Sequence, residues 1–297
     1  MFDCLYRYVI DCEFDKFRND VSLLDLSRQG LTVLPDLSLY PKLKILYCNN
    51  NQLTSLNNLP PTLQKLYCYR NQLTSLGHLP PRLRELDCSN NQLTSLDNLP
   101  STLQIVKCEY NLLTSLDNLP LNLQELWCGK NQLARLCVRN DRLESAFGTS
   151  LPPNLQKLYC SCNQLTSLDN LPPNLQELYC YTNQLTSLDN LPPNLRELWC
   201  CNNLLTSLDN LPSALQILWC DHNQIARLGV RESDNDRLEE SAFGTSLTLQ
   251  ILVCDNNPIN TTCYKMYGFY LSSKTLKRYN EIKRTEKEEK GCCPLLK

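Results

Sequence analysis

Histidine and glycine are scarce in this chain of 297 residues, and its charges nearly cancel. His78 and His222 are the only histidines. Read on the repeat described below they lie roughly 35 Å apart at strand spacing, so they share neither an active site nor a metal. The chain holds eight glycines, and they form no phosphate-cradling loop. A net charge of −2 with intermixed signs leaves no electrostatic footprint for nucleic acid. No segment approaches roughly 18 uninterrupted apolar residues, so no membrane span is expected. The opening MFDCLYRYVIDCEF lacks the basic start and apolar run of a secretory signal. A cytoplasmic address is the expectation, with the virion as the alternative if the chain is viral. Cys160-x-Cys162 and Cys200-Cys201 have no second cysteine pair at zinc-ligand spacing. No catalytic constellation, metal or other cofactor is therefore expected.

What the chain has in abundance is one segment, repeated. LPPNLQELYCYTNQLTSLDN (171–190) returns, slightly edited, from Leu59 and from Leu191. Self-similarity at a period of 20 residues marks a solenoid, in which each unit buries its apolar side only against its neighbours. The motif Leu-x-x-Leu-x-Cys-x-x-Asn-x-Leu-x-x-Leu starts at Leu43, Leu63, Leu83, Leu103, Leu123, Leu155, Leu175, Leu195, Leu215 and Leu249, after a degenerate copy at Val21. On these residues the chain is identified as a member of the leucine-rich-repeat class over residues 21–260, about eleven repeats. The resemblance implies a curved solenoid with a concave parallel β-sheet. The return half, Leu-Thr-Ser-Leu-Asp-Asn-Leu-Pro-Pro, is too short and proline-rich for a regular helix, which predicts an extended, polyproline-like convex side. LTSLDNLPPNLQ resembles the repeats of secreted bacterial effectors. The variant Tyr-Cys-x-x-Asn-Gln-Leu-Thr-Ser-Leu looks still more like repeat proteins of giant amoeba-infecting viruses of the mimivirus kind. Many such effectors carry a C-terminal ubiquitin-ligase domain. Only about 37 residues follow the repeats here, so that activity is not carried over.

Eighteen cysteines suggest a disulfide scaffold until their positions are considered. Ten of them (Cys48, Cys68, Cys88, Cys108, Cys128, Cys160, Cys180, Cys200, Cys220 and Cys254) hold one repeat position between two inward leucines. The first copy has Leu26 there, so the site asks for a compact apolar group, which a thiol supplies. Side chains on neighbouring parallel strands run side by side and suit a disulfide poorly. The ladder is read as buried and reduced, with Cys201, Cys292 and Cys293 off it and reachable by reagents. The asparagines from Asn51 to Asn257 sit where the chain leaves each strand, and a stacked row of amides can bond the backbone of adjacent turns.

Residues 1–20 have the loosely helical apolar spacing of an N-terminal cap. Two related insertions, near 134–150 and 226–246, share VR…DRLE…SAFGTS and interrupt the fifth and ninth full copies. Residues 261–297 read as a C-terminal cap helix and tail.

One outward row stands out. The residue before each ladder cysteine reads Tyr47, Tyr67, Asp87, Lys107, Trp127, Tyr159, Tyr179, Trp199, Trp219, Val253. Two positions earlier a second outward row includes Glu177 and Glu197. Exposed tyrosine and tryptophan edged by charge suit protein recognition. The reading is a non-enzymatic module that binds a protein or peptide, a host protein if the chain is viral, on its concave aromatic face. The residues assigned to that contact are Trp127, Tyr159, Tyr179, Trp199 and Trp219, with Glu177 and Glu197. Their rings are expected to face solvent, and Asp87 and Lys107 to divide the row into two patches. A packing protein of a particle and a thiol-based redox or metal sensor are the alternatives. The sequence leaves the oligomeric state open.

Overall fold

A computed structural model describes residues 19–136, 151–208, 211–226, 249–254 and 256–258. The cap at 1–18, most of both insertions (137–150 and 227–248), and the C-terminal cap and tail lie outside the described residues.

Each repeat contributes one strand of three residues. In chain order they are β1 (Leu23–Asp25), β2 (Ile45–Tyr47), β3 (Lys65–Tyr67), β4 (Glu85–Asp87), β5 (Ile105–Lys107), β6 (Glu125–Trp127), β7 (Lys157–Tyr159), β8 (Glu177–Tyr179), β9 (Glu197–Trp199), β10 (Ile217–Trp219) and β11 (Ile251–Val253). They form one parallel sheet in sequence order. Register places identical motif positions opposite one another, as in Tyr47 against Tyr67 and Trp127 against Tyr159. The strand ends one residue before the cysteine, whose N–H still bonds the next strand (Cys48 N to Tyr67 O, 2.9 Å).

Side chains alternate across the sheet. The middle residue, Leu46 in β2, points into the core, and the flanking Ile45 and Tyr47 point away from it. Leu43, Leu46, Cys48, Leu53 and Leu56 and their counterparts make one continuous core along the solenoid. The return half forms neither strand nor α-helix and runs through bends and turns, such as the one closed by Leu63 N on Pro60 O (3.1 Å). The described residues contain no α-helix, only a one-turn 3₁₀ segment at Leu37–Leu39 capped by Asp36.

The asparagine row is the brace between turns. Asn111 Nδ2 donates to Cys88 O (3.1 Å) in the preceding repeat and to Cys108 O (3.1 Å) in its own. Its Oδ1 accepts from Leu93 N at 2.9 Å. The same set spans the first insertion, where Asn163 joins Cys128 O (3.1 Å) and Leu133 N (3.0 Å). It also spans the second, where Asn257 joins Cys220 O (3.0 Å) and Ile225 N (3.1 Å). Neither insertion disturbs the register.

All ten ladder cysteines are buried, and those from Cys48 to Cys200 are free thiols. Cys88 Sγ donates to Lys107 O at 3.3 Å and Cys108 Sγ to Trp127 O at 3.2 Å, contacts that require the protonated thiol. Cys201 departs from expectation: it is buried too, on the opposite face of the sheet, and its thiol is not open to reagents.

Two stability predictions follow from these braces. Asn111→Ala strands one backbone N–H and two carbonyls inside the solenoid, and is expected to cost about 1–3 kcal/mol in urea unfolding. A cost near zero would mean that water replaces the amide. Burial pushes the Cys48 and Cys180 thiols up to about 12 from an ordinary 9.0. Between those values the folded chain holds protons that the unfolded chain has lost, so stability falls as pH rises. Each such thiol contributes a slope of about 1.4 kcal/mol per pH unit. The urea midpoint should therefore drop from pH 9 to pH 11, beyond the drop of a Cys48→Ala, Cys180→Ala variant.

Candidate functional site

The outer face of the sheet, opposite the leucine core, brings the sequence-assigned residues together. Trp127, Tyr159, Tyr179, Trp199 and Trp219 come from consecutive strands β6 to β10 and form one stack. Centroid separations are 3.7 Å for Trp127–Tyr159, 4.2 Å for Tyr159–Tyr179, 5.4 Å for Tyr179–Trp199 and 4.1 Å for Trp199–Trp219. Parallel in-register strands place each ring about 4.8 Å from its neighbour, close to ring-stacking distance. A shorter stack of Tyr47 on Tyr67 (4.6 Å) stands nearer the N-terminal edge. Asp87 and Lys107 separate the two. Lys107 Nζ lies 4.7 Å from the Trp127 ring centroid and closes the long stack with a cation–π contact.

The expectation of solvent-facing rings is overturned for three of the five. Trp199 and Trp219 are 5% exposed and Tyr179 is 9% exposed; Trp127 and Tyr159 are half-buried. Rings laid face to face hide part of their surface from water, but the equally stacked Tyr47 and Tyr67 stay half-buried, so stacking alone does not set the difference.

The glutamates are also engaged. Tyr179 Oη donates to Glu197 Oε1 at 2.8 Å, and Trp199 Nε1 donates to the same oxygen at 2.7 Å. Tyr159 Oη reaches Glu177 Oε2 at 3.3 Å, and Lys157 Nζ lies 3.0 Å from Glu177 Oε1. Tyr67 Oη, Glu85 and Lys65 repeat the arrangement at the first stack, with both contacts at 2.7 Å. Glu197 serves two ring ends, whereas Glu177 and Glu85 each pair one tyrosine hydroxyl with a lysine. Burial and the adjacent glutamates push the Tyr159 and Tyr179 hydroxyls well above their ordinary value, so both remain neutral donors.

Between the stacks lies a shallow depression of about 320 Å³, lined by Arg28, Asn50, Tyr69, Arg70, Asp87, Ser89, Asn90, Lys107, Glu109 and Trp127. Burial raises the Asp87 carboxyl above its ordinary value, against hydrogen bonds from Ser89 that lower it. The sequence signal for this polar floor is the break in the aromatic row. Its outer wall comes from residues just after the strands, which the row did not include.

At the other end, His222 Nδ1 donates to Asp221 Oδ2 (2.8 Å) while Nε2 accepts from Asn256 Nδ2 (3.1 Å). Cys201 adjoins Asp221, but burial and that carboxylate hold its thiol far above the nucleophilic range. Among the described residues no group of three or more His, Cys, Asp and Glu side chains is arranged to hold a metal ion. No described helix is long and apolar enough to cross a membrane.

This architecture defines the class: the chain is a leucine-rich-repeat solenoid. The family model "Leucine Rich repeats (2 copies)" matches residues 61–101 and 153–193. Two solved structures share the fold at moderate identity. YopM from Yersinia enterocolitica is 32% identical over 81% of this chain and 56% of its own, with a TM-score of 0.59. The functional domain of InlJ from Listeria monocytogenes, described as including a cysteine ladder, is 28% identical over 82% of this chain and 55% of its own, with a TM-score of 0.63. The chain thus spans little more than half the length of either. The FLRT2 repeat domain, solved in an octameric complex with Latrophilin 3 and Unc5D, shares the fold alone, at 21% identity over 84% of this chain and 79% of its own and a TM-score of 0.66. No curated protein matches the sequence.

With its ring buried and its indole N–H bonded, Trp199 belongs to the packing of the face. Trp199→Ala is expected to cost about 3–5 kcal/mol, as for other buried aromatic truncations. Thermal unfolding checks this; an unchanged melting temperature would mean that the ring adds nothing to the fold.

Proposed function

We propose that the chain is a non-enzymatic recognition module that holds a protein or peptide against the outer, concave face of its sheet. The observation that carries this reading is the accessible stretch from Tyr67 to Tyr159. There, half-buried aromatic rings flank a depression whose rim mixes Arg70 and Lys107 with Asp87 and Glu109. Half-buried rings already held in place by stacking lose little conformational freedom on binding, which favours them as anchors. Trp127 and Tyr159 are the anchors from the assigned set. Glu177 and Glu197 border them, and Tyr179, Trp199 and Trp219 hold the face rigid. An interaction role is also how this repeat class is generally used.

We place the module in a reducing compartment, host cytoplasm if the resemblance to giant-virus repeat proteins reflects its origin. Its free ladder thiols support that address. Their raised pKa leaves little thiolate, which argues against a thiol sensor.

The burial of the stack favours one second reading, in which the aromatic row only stiffens a packing element. Affinity capture from the producing cell, followed by calorimetry with the captured partner, separates the two. Trp127→Ala should weaken binding at least about thirtyfold, the equivalent of about 2 kcal/mol, with Tyr47→Ala as the control. If affinity holds while the melting temperature of Trp127→Ala falls, the row is scaffold and the partner face lies elsewhere.

A further inference from the structure

The residue that turns the chain out of each strand takes a left-handed conformation, which asparagine adopts more readily than most side chains. Asn50, Asn90, Asn202 and Asn256 fill that position in four repeats. In the repeats of β1 and β3 it is filled by Arg28 (φ 58°) and Arg70 (φ 53°). Arginine offers the turn no conformational gain. Both side chains are exposed, and both line the depression between the two aromatic stacks.

The other charges around that depression are already engaged. Lys65 pairs with Glu85 at 2.7 Å. Lys107 lies over the Trp127 ring and stands opposite Asp87 in register. Lys130 lies over the Tyr110 ring. Of the acids, Asp87 accepts from Ser89 N at 3.1 Å. Glu109 lies against Gly129, where an added methyl group would be 3.3 Å from its Oε1. Both carboxylates are half-buried. Asp25, whose carboxyl feels the Arg28 charge, is taken up by hydrogen bonds from Ser27. Arg28 and Arg70 form no ion pair with a described residue. The exposed and uncommitted charge of the depression is therefore positive, although the whole chain carries −2.

We infer that the depression takes an extended acidic peptide segment of a partner protein, with its carboxylates on Arg28 and Arg70 and an apolar side chain against Trp127. This rests on the recognition reading above and adds the chemistry of the partner. The dimensions agree. From β1 to β6 are five strand spacings, about 24 Å, which seven extended residues cover at roughly 3.3 Å each. Arg28 and Arg70 stand two spacings apart, about 10 Å, so acidic side chains at alternate peptide positions, about 6.6 Å apart, fall between them. A guanidinium offers a carboxylate two parallel N–H donors, which a lysine does not. Nucleic acid fits poorly. On the same path it would carry its repeating phosphates over the carboxylates of Asp87 and Glu109 with only two free cations to hold them.

A library of random heptapeptides displayed on phage, selected against the full-length chain at low salt, is the probe. Enriched sequences should carry Asp or Glu toward one end and an apolar or aromatic residue toward the other. No enrichment, or enrichment without acidic residues, overturns the inference and leaves the recognition reading to the captured partner. An enriched peptide followed by fluorescence anisotropy should bind the Arg28→Asn, Arg70→Asn chain at least about tenfold more weakly, and with a smaller salt dependence. Asparagine is the repeat's own residue at this position, so the melting temperature should hold. The same peptide with its acids replaced by amides should lose the same factor on the unaltered chain, a measurement that needs no variant to fold. Equal affinity in either comparison overturns the inference. Binding lost in Trp127→Ala but kept without the arginines retains the recognition reading and removes the acidic partner. The reverse pattern keeps the acidic ligand and removes Trp127 as its anchor. Oligothymidine that binds as tightly as the peptides, or a dimer in sedimentation that the arginine substitutions dissolve, reassigns the face to nucleic acid or to a second copy.

Discussion

Every feature of this solenoid depends on how a turn of 20 residues satisfies its backbone against the next turn. A strand of three residues closes few ladder bonds, and the tight exit from it leaves further N–H and C=O groups facing the interior. The asparagine amide meets that need with two donors and an acceptor in one short side chain. Asn71, for example, donates to Cys48 O and Cys68 O and accepts from Leu53 N, at 2.9–3.0 Å. Because each amide touches two repeats, the turns are locked in register, and that register holds across both insertions. The residue before each asparagine takes a left-handed conformation, as at Asn90 and Asn202, which lets the chain turn sharply enough to aim the amide inward.

That register has consequences on both faces of the sheet. Inside, it aligns leucines and thiols into one continuous apolar column. The cysteine position is a packing position: the thiol is compact, and its proton reaches the next strand's carbonyl where a leucine offers nothing. Outside, the same register stacks like residues on like. Tyrosine and tryptophan become a pile of rings, with glutamates serving the hydroxyls of Tyr67, Tyr159 and Tyr179 and the Trp199 indole. The outer face is therefore a second apolar layer, deeply buried from Tyr179 to Trp219 and partly exposed nearer the N-terminus. A protein that binds there meets a surface already rigid, which lowers the entropy lost on association.

How much was legible beforehand follows from which properties are periodic. The motif from Leu43 onward carries the strand positions, the core leucines, the buried thiols and the amide row, because each depends on residue type at a fixed spacing. The proline-ended return half excludes a regular helix by the same local reasoning. The division of the aromatic row at Asp87 and Lys107 was also visible, since a break in a repeat is as plain as the repeat.

Exposure was not legible. The sequence places Trp199 and Ile251 on the outer face but does not show how deeply they are buried. Leu23 and Ile251 hold equivalent positions on two edge strands, and one is open while the other is buried. Nor does the sequence show that Cys201, one residue beyond the ladder, turns to the opposite face and is buried there, or that Glu197 bonds both Tyr179 and Trp199. Local pattern determines which way a side chain points, because backbone alternation is local. Only the tertiary structure decides what the side chain meets there, because that depends on segments distant in the chain.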